Sequence, residues 1–235
     1  MSRLNSPFYN HKKAQDAAKE VLRRLSSFIS SQESERTIAD FAVGMLKDYG
    51  IHKTWYYETP ALVLLGSRSC TSISGKDYKP PDELVGNENL VTVDLSPMVD
   101  GCWGDCARSY AVEYGEVTEQ PSNQEIANGL RFVRELHTLM KEFVKPSTTF
   151  AQLYEFGNMH IERNRYENLD FLKNLGHSIE QNLKDRRFID RTCDEPLDSA
   201  TFFTFEPHIR KVQGKWGFKH ENIYYFSEAK QLREL

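Results

Sequence analysis

Two aspartates flank a predicted tight turn. Asp94 lies six residues before Asp100-Gly101, and Asp105 lies four residues after it. An Asp-Gly pair favours a two-residue hairpin loop. The two carboxylates then fall on the two arms of one hairpin. With a bulge or a slightly longer loop they reach one face. Like charges brought that close repel unless a cation sits between them. The ordinary alternative is a solvent-facing hairpin with surface charges. Three later positions carry similar groups in apolar, strand-like settings. His177 follows a glycine in Leu175-Gly176-His177-Ser178-Ile179. Glu206 ends the run Phe202-Phe203-Thr204-Phe205, and Glu221 sits within Phe218-Lys219-His220-Glu221-Asn222-Ile223-Tyr224. A carboxylate among aromatic strand residues is costly to bury unless it is paired, protonated or metal-bound. Taken singly, each also reads as a satisfied core histidine, an edge-strand glutamate or half of a salt bridge. Two aspartates, a histidine and two glutamates in this order are harder to explain one by one.

The elements that must position them follow from periodicity. Residues 11–30 place Ala14, Ala17, Ala18, Val21, Leu22, Leu25, Phe28 and Ile29 on one helical stripe. A second helix is predicted over about 38–49, with Thr37 as its cap, Asp40 at the capping-box position and Gly50 after its end. Residues 54–66 read as extended, and 67–82 as a loop rich in Ser, Gly, Lys and Pro. Residues 89–97 alternate as a strand, and 104–115 return as its partner. Ser122 and Glu125 make a capping box for a third helix that Lys145-Pro146 closes. A fourth helix runs from near Thr149 to Asn164. Short apolar runs around His177, over 200–207 and over 217–226 complete the chain. Helices and antiparallel strands mix without strict alternation, which predicts one α+β domain over 1–235.

Composition excludes several classes. Thirty basic residues against 34 acidic ones leave a net charge of −4, without the basic excess of a nucleic-acid binder. The densest basic run, residues 186–191, is interrupted by apolar and acidic residues and reads as a solvated face. Cys70, Cys102, Cys106 and Cys193 form no C-x-x-C pair, and free thiols in a reducing compartment are expected. The first thirteen residues hold no apolar signal segment, and no apolar run is long enough to span a membrane. A cytoplasmic location is the expectation.

The order D–(10 residues)–D, G-H, F-x-x-E-P, then E, resembles the M24 metallopeptidases, the pita-bread family of methionine aminopeptidases, Xaa-Pro aminopeptidases, prolidases and creatinases. Their first strand motif looks like V-D-x-G and their second like G-D-x-x-R-T. This chain has Val93-Asp94-Leu95-Ser96 and Gly104-Asp105-Cys106-Ala107-Arg108-Ser109, with Thr204-Phe205-Glu206-Pro207 and the Glu221 strand beyond. The resemblance implies a pita-bread fold: a curved antiparallel sheet cupping metal ions, with helices on its outer face. It implies two divalent ions. Asp94 would chelate one, Asp105 and Glu221 would bridge both, and His177 and Glu206 would bind the second. Four carboxylates and an imidazole suit Mn, Fe, Co or Zn. The implied chemistry is hydrolysis of a peptide or peptide-like C–N bond, with Glu206 also moving the proton from the attacking water to the leaving amine. The resemblance leaves room for a homodimer, with no interface legible in the sequence.

The chain departs from the family around the metals. The upstream loop, residues 69–81, holds no histidine. The position seven after His177 is Lys184, and Glu180 adds an acid nearby. His208 and His220 each flank a ligand on a strand and are expected to point away. The chain has the size of a methionine aminopeptidase. Lys219, two before Glu221, and the motifs Thr54-Trp55-Tyr56-Tyr57 and Asp94-Leu95-Ser96-Pro97 look more like the Xaa-Pro group. Two other readings stay open: a pocket rebuilt for a non-peptide small molecule, and an inactive binding module on the same fold.

Overall fold

The structure, a computed structural model, describes residues 7–235. It opens with helices α1 (Pro7–Phe28) and α2 (Glu35–Asp48). Pro7 begins α1, where a missing N–H and a fixed φ do no harm. The cap of α2 lies one turn earlier than Thr37-Asp40 suggests. Ser34 accepts from the Thr37 N–H, and the Thr37 side chain reaches back to the Ser34 N–H. Threonine here does the work usually given to glutamate in a capping box. Helix α3 (Gln124–Phe143) is capped by Asn123 rather than Ser122. Ser122 instead donates its N–H and its hydroxyl to Glu113. Helix α4 (Phe150–Arg163) starts where expected, capped by Thr149 with Gln152 completing the box, and ends at Asn164.

The strands are β1 (Lys53–Thr54), β2 (Ala61–Leu65), β3 (Glu88–Leu95), β4 (Pro97–Val99), β5 (Cys102–Trp103), β6 (Cys106–Glu113), β7 (Glu116–Thr118), β8 (Tyr166–Asn168), β9 (Phe203–Phe205), β10 (His208–Lys211), β11 (Gly217–Lys219), β12 (Asn222–Phe226) and β13 (Leu232–Glu234). Among the described residues they form sheets of order β2-β3-β6-β7, β1-β4-β5, β11-β10-β8 and β13-β12-β9. The pairings are antiparallel. The extended reading of 54–66 breaks in the middle. Tyr57 and Glu58 take positive φ, and the chain turns between β1 and β2.

Two helix pairs cover the sheets. Ala18, Leu22, Leu25, Ile38 and Ala42 of α1 and α2 pack on Val63, Val91, Val93 and Leu95. Leu130, Val133, Phe150 and Leu153 of α3 and α4 pack with Leu90, Phe203, Phe205 and Phe218. Side chains alternate across a strand. Once Val91, Val93 and Leu95 face α1 and α2, Thr92 and Asp94 must face the other way, into the space between the sheets.

Candidate metal centre

The β3–β6 register places Asp94 opposite Ala107 and Leu95 opposite Cys106. Continued one step, that register puts Asp105 opposite Ser96. Asp105 is then on the same face as Asp94, and no bulge is needed. Between the two acids the chain leaves as the β4–β5 hairpin. Asp100 and Gly101 at its tip have φ of 49° and 80°, as a two-residue hairpin loop requires.

Asp105 is held by its main chain. Its N–H donates to Gln15 Oε1 at 2.7 Å, and Gln15 Nε2 donates to its carbonyl at 2.9 Å. Gln15 is fully buried on α1. The helix passes this close because residue 104 is glycine: a Cβ there would lie 2.7 Å from the Ala14 carbonyl carbon. The Trp55 indole N–H donates to the Gly104 carbonyl.

His177 is positioned just as tightly. Gly176 has φ of +144°, and a Cβ on it would meet the Thr204 carbonyl oxygen at 2.3 Å. Residues 177 and 204 exchange hydrogen bonds: the His177 N–H donates to Thr204 Oγ1 at 3.0 Å, and the Thr204 N–H donates to the His177 carbonyl at 2.7 Å. His177 Nδ1 lies 2.9 Å from the Ser178 carbonyl. A carbonyl only accepts, so Nδ1 carries the proton and Nε2 carries the lone pair. Nε2 lies 3.5 Å from Asp105 Oδ2 and 3.7 Å from Glu206 Oε1. Burial pushes the imidazole down to about 4, so it is neutral at physiological pH. Gly176→Ala is expected to destabilise the protein by about 1–3 kcal/mol and to weaken metal binding. Thermal melts and metal titration of that variant check it. Unchanged metal affinity would show that the tight Gly176–Thr204 contact does not set the imidazole.

Glu221 joins the two halves of the site. Its N–H donates to the Ala107 carbonyl at 3.0 Å, and the Arg108 guanidinium donates to the Glu221 carbonyl at 2.7 Å. Its carboxylate is 1% exposed and has no hydrogen-bond partner on either oxygen. Asp105 Oδ2 is also buried and without a hydrogen bond. One carboxylate oxygen each from Asp94, Asp105 and Glu221 lie within 4.8 Å of one another. His177 and Glu206 adjoin this trio through the His177 Nε2 contacts to Asp105 and Glu206, so the five residues named from the sequence lie together.

A sixth residue converges with them. Lys219 Nζ lies 2.5 Å from Asp94 Oδ2, 3.0 Å from Glu206 Oε2 and 3.5 Å from Glu221 Oε2. The signal was present in the sequence: Lys219 is two residues before Glu221 and so shares its face. Burial, then the charges of neighbouring acids, holds Asp105 and Glu221 well above the usual carboxylate range. Burial also raises Asp94, though Lys219 opposes it. At Glu206 burial acts upward as well, but the Lys219 ammonium and His177 outweigh it and hold this carboxyl low. One ammonium cannot balance four carboxylates. Buried acid oxygens without donors, beside an imidazole lone pair, fit a divalent cation.

Other expectations divide. His208 lines the same cavity, contrary to the expectation that it points away. It pairs with Lys219 across β10–β11 and lies two residues from Glu206, so alternation puts all three on one face. Its Nε2–H donates to the Ser69 carbonyl at 2.7 Å. His220 does point away, edge-on to His137 with ring centroids 4.6 Å apart. Lys184 is exposed, and Glu180 pairs with Arg187 at 3.0 Å rather than joining the centre. The basic run 186–191 is not all solvated face. Arg186 lines the cavity, its guanidinium over Trp55 and Phe188. The loop at Thr71, Ser72 and Ile73 also lines it, without a histidine. The cysteines are unpaired.

The model of metallopeptidase family M24 matches residues 9–228. The chain belongs to this family. Solved structures of M24 proteins share its pita-bread α+β fold. The X-Pro aminopeptidase from Thermotoga maritima MSB8 is 19% identical with a TM-score of 0.78, over 97% of this chain and 60% of that one. The prolidase from Pyrococcus horikoshii OT3 is 18% identical with a TM-score of 0.81, over 98% of this chain and 61% of that one. The methionine aminopeptidase from Thermotoga maritima is 17% identical with a TM-score of 0.79, over 100% of this chain and 98% of that one. This M24 chain thus spans about three-fifths of the X-Pro aminopeptidase and prolidase chains it matches. No curated protein matches its sequence at a significant level. No helix among its described residues is long and apolar enough to cross a membrane.

Proposed function

We propose that this M24 chain is a divalent-metal-dependent hydrolase that cleaves a C–N bond in a peptide or small peptide-like molecule, nearest in kind to an Xaa-Pro aminopeptidase. One observation carries the reading: Asp94, Asp105, His177, Glu206 and Glu221 converge while the buried oxygens of Asp105 and Glu221 lack any hydrogen-bond donor. These five residues hold the metal, and residues 1–235 act as one catalytic domain. The resemblance implies two ions here, Mn, Fe, Co or Zn. Whether both positions fill depends on Lys219. Bound metal supplies Lewis acidity toward a carbonyl oxygen and lowers the pKa of water. Glu206, kept ionised by the Lys219 ammonium, takes a proton from the attacking water and passes it to the leaving amine. Asp105 and Glu221 keep their geometry through the Gln15 clamp and the Ala107 bridge. Trp55 and Phe188 wall the cavity. Its volume of about 120 Å³ suits one residue at the end of a peptide. Arg186 is placed to meet the carboxylate of a short substrate. Unpaired thiols support a reducing, cytoplasmic setting.

The test is a panel of peptides with N-terminal Met or Xaa-Pro, incubated with protein and Mn²⁺. Release of the N-terminal residue, stopped by a chelator and restored by Mn²⁺, is the expected result. Bound metal without release from any peptide would move the reading to a non-peptide C–N substrate. The histidine-free loop at Thr71–Ile73 and the exposed Lys184 favour that second reading.

A further inference from the structure

Cations and acids are unevenly shared within the centre. On the Asp94 side, the Lys219 ammonium already contacts Asp94 Oδ2 at 2.5 Å and Glu206 Oε2 at 3.0 Å. On the other side, Asp105 Oδ2 and Glu221 Oε1 have no hydrogen-bond partner. His177 Nε2 and Glu206 Oε1 face that side, 3.7 Å apart. Lys219 is not a loose surface side chain. Its backbone is fixed at both ends by Ser109, whose hydroxyl accepts from the Lys219 N–H at 2.9 Å and donates to its carbonyl at 3.0 Å. Strand pairing with His208 aims it inward, and its side chain is only 18% exposed. A second divalent ion at Asp94 would have to displace this ammonium or sit beside it. Like charges at that separation repel strongly in a partly desolvated site.

We infer that the centre takes a single divalent ion, held by Asp105, His177, Glu206 and Glu221, and that the ammonium of Lys219 stands as the second cation, bound by Asp94 and Glu206. The inference rests on the metal-hydrolase reading and limits it to one ion. Lys219 thereby becomes a positioning residue. It fixes Asp94 and one oxygen of Glu206, and leaves the other oxygen of Glu206 for the metal. It also supplies a positive charge that stays in place when the metal leaves.

The test counts Mn²⁺ per chain by mass spectrometry after saturation and removal of free ion, in wild type, Lys219→Met, Asp94→Asn and Asp105→Asn. Electron paramagnetic resonance of the loaded proteins distinguishes an isolated ion from a spin-coupled pair. The inference predicts one uncoupled ion in wild type, a coupled pair in Lys219→Met, one ion retained in Asp94→Asn and none in Asp105→Asn. Two ions in wild type, or loss of the ion in Asp94→Asn, overturns it and leaves the metal-hydrolase reading intact. No ion in wild type or in Lys219→Met overturns both. If Lys219→Met does not fold, the wild-type and Asp94→Asn counts decide.

Discussion

Asp105→Asn and Glu221→Gln each give a folded protein that binds no divalent ion and hydrolyses substrate about 10³-fold more slowly, or worse. The expectation follows from where the oxygens lie. Asp105 Oδ2 and both oxygens of Glu221 are buried without hydrogen bonds, so a cation is the partner their burial calls for. An amide replaces one charged oxygen with a donor and adds an N–H where a cation should sit. The fold survives because both residues are held through their main chains, Asp105 by Gln15 and Glu221 by Ala107 and Arg108. Metal content and peptide-release rates measured on the same preparations check the prediction. A variant that keeps full activity would remove Asp105 or Glu221 from the centre.

Without metal, the same substitution has the opposite effect on stability. In excess chelator at neutral pH, Glu221→Gln is expected to be more stable than wild type by about 1–3 kcal/mol, roughly 2–12 °C in melting temperature. The sign comes from linkage. Burial and neighbouring acids raise the folded-state pKa of Glu221 well above its ordinary 4.5. A carboxyl raised in this way contributes its full stability only below the ordinary value, and loses it as pH rises toward and through the folded value. The gap between variant and wild type should therefore be small near about pH 4 and widen toward neutrality. Buried histidines act in the other sense. Burial pushes His137 down to about 3 and His177 and His208 to about 4. Each costs stability as pH falls from 6.5 toward those values. That loss is common to both proteins and largely cancels in the difference. Adding Mn²⁺ at about 100 times its Kd should stabilise wild type by about 2.7 kcal/mol and leave Glu221→Gln unmoved. Melts across pH, with and without Mn²⁺, separate these effects. A gap that narrows as pH rises would contradict them.

The four acids and the histidine could be grouped from sequence because the strand that carries Asp94 alternates visibly, while Asp105, His177, Glu206 and Glu221 stand beside strands or at isolated bridges in apolar runs. Val91, Val93 and Leu95 mark the covered face, and Asp94 is left on the other. The start of α4 near Thr149 was legible from local signals as well. What sequence could not supply is proximity between distant segments. Gln15 and Asp105 are 90 residues apart, and nothing local marks a helical glutamine as the clamp on a site aspartate. Lys219 and Asp94 are 125 apart. Lys219 stood out beside Glu221 as a mark of the Xaa-Pro group, yet period-two alternation alone already placed it inside the centre. His208 was misread for want of the same rule, because two residues from Glu206 means the same face. The cap of α2 was misplaced because Thr37, a good N-cap by type, serves instead as the partner of Ser34. The turn at Tyr57-Glu58 is carried by side chains that rarely take positive φ, so an aromatic run looked like unbroken strand.

A crystal of the protein soaked in Mn²⁺, with diffraction collected at the manganese edge, tests the central claim most directly. The account predicts an anomalous peak bounded by Asp105, His177, Glu206 and Glu221, with Lys219 still against Asp94. Full diffraction without a peak among those four residues would contradict it, and the converging acids would then have no metal to explain them.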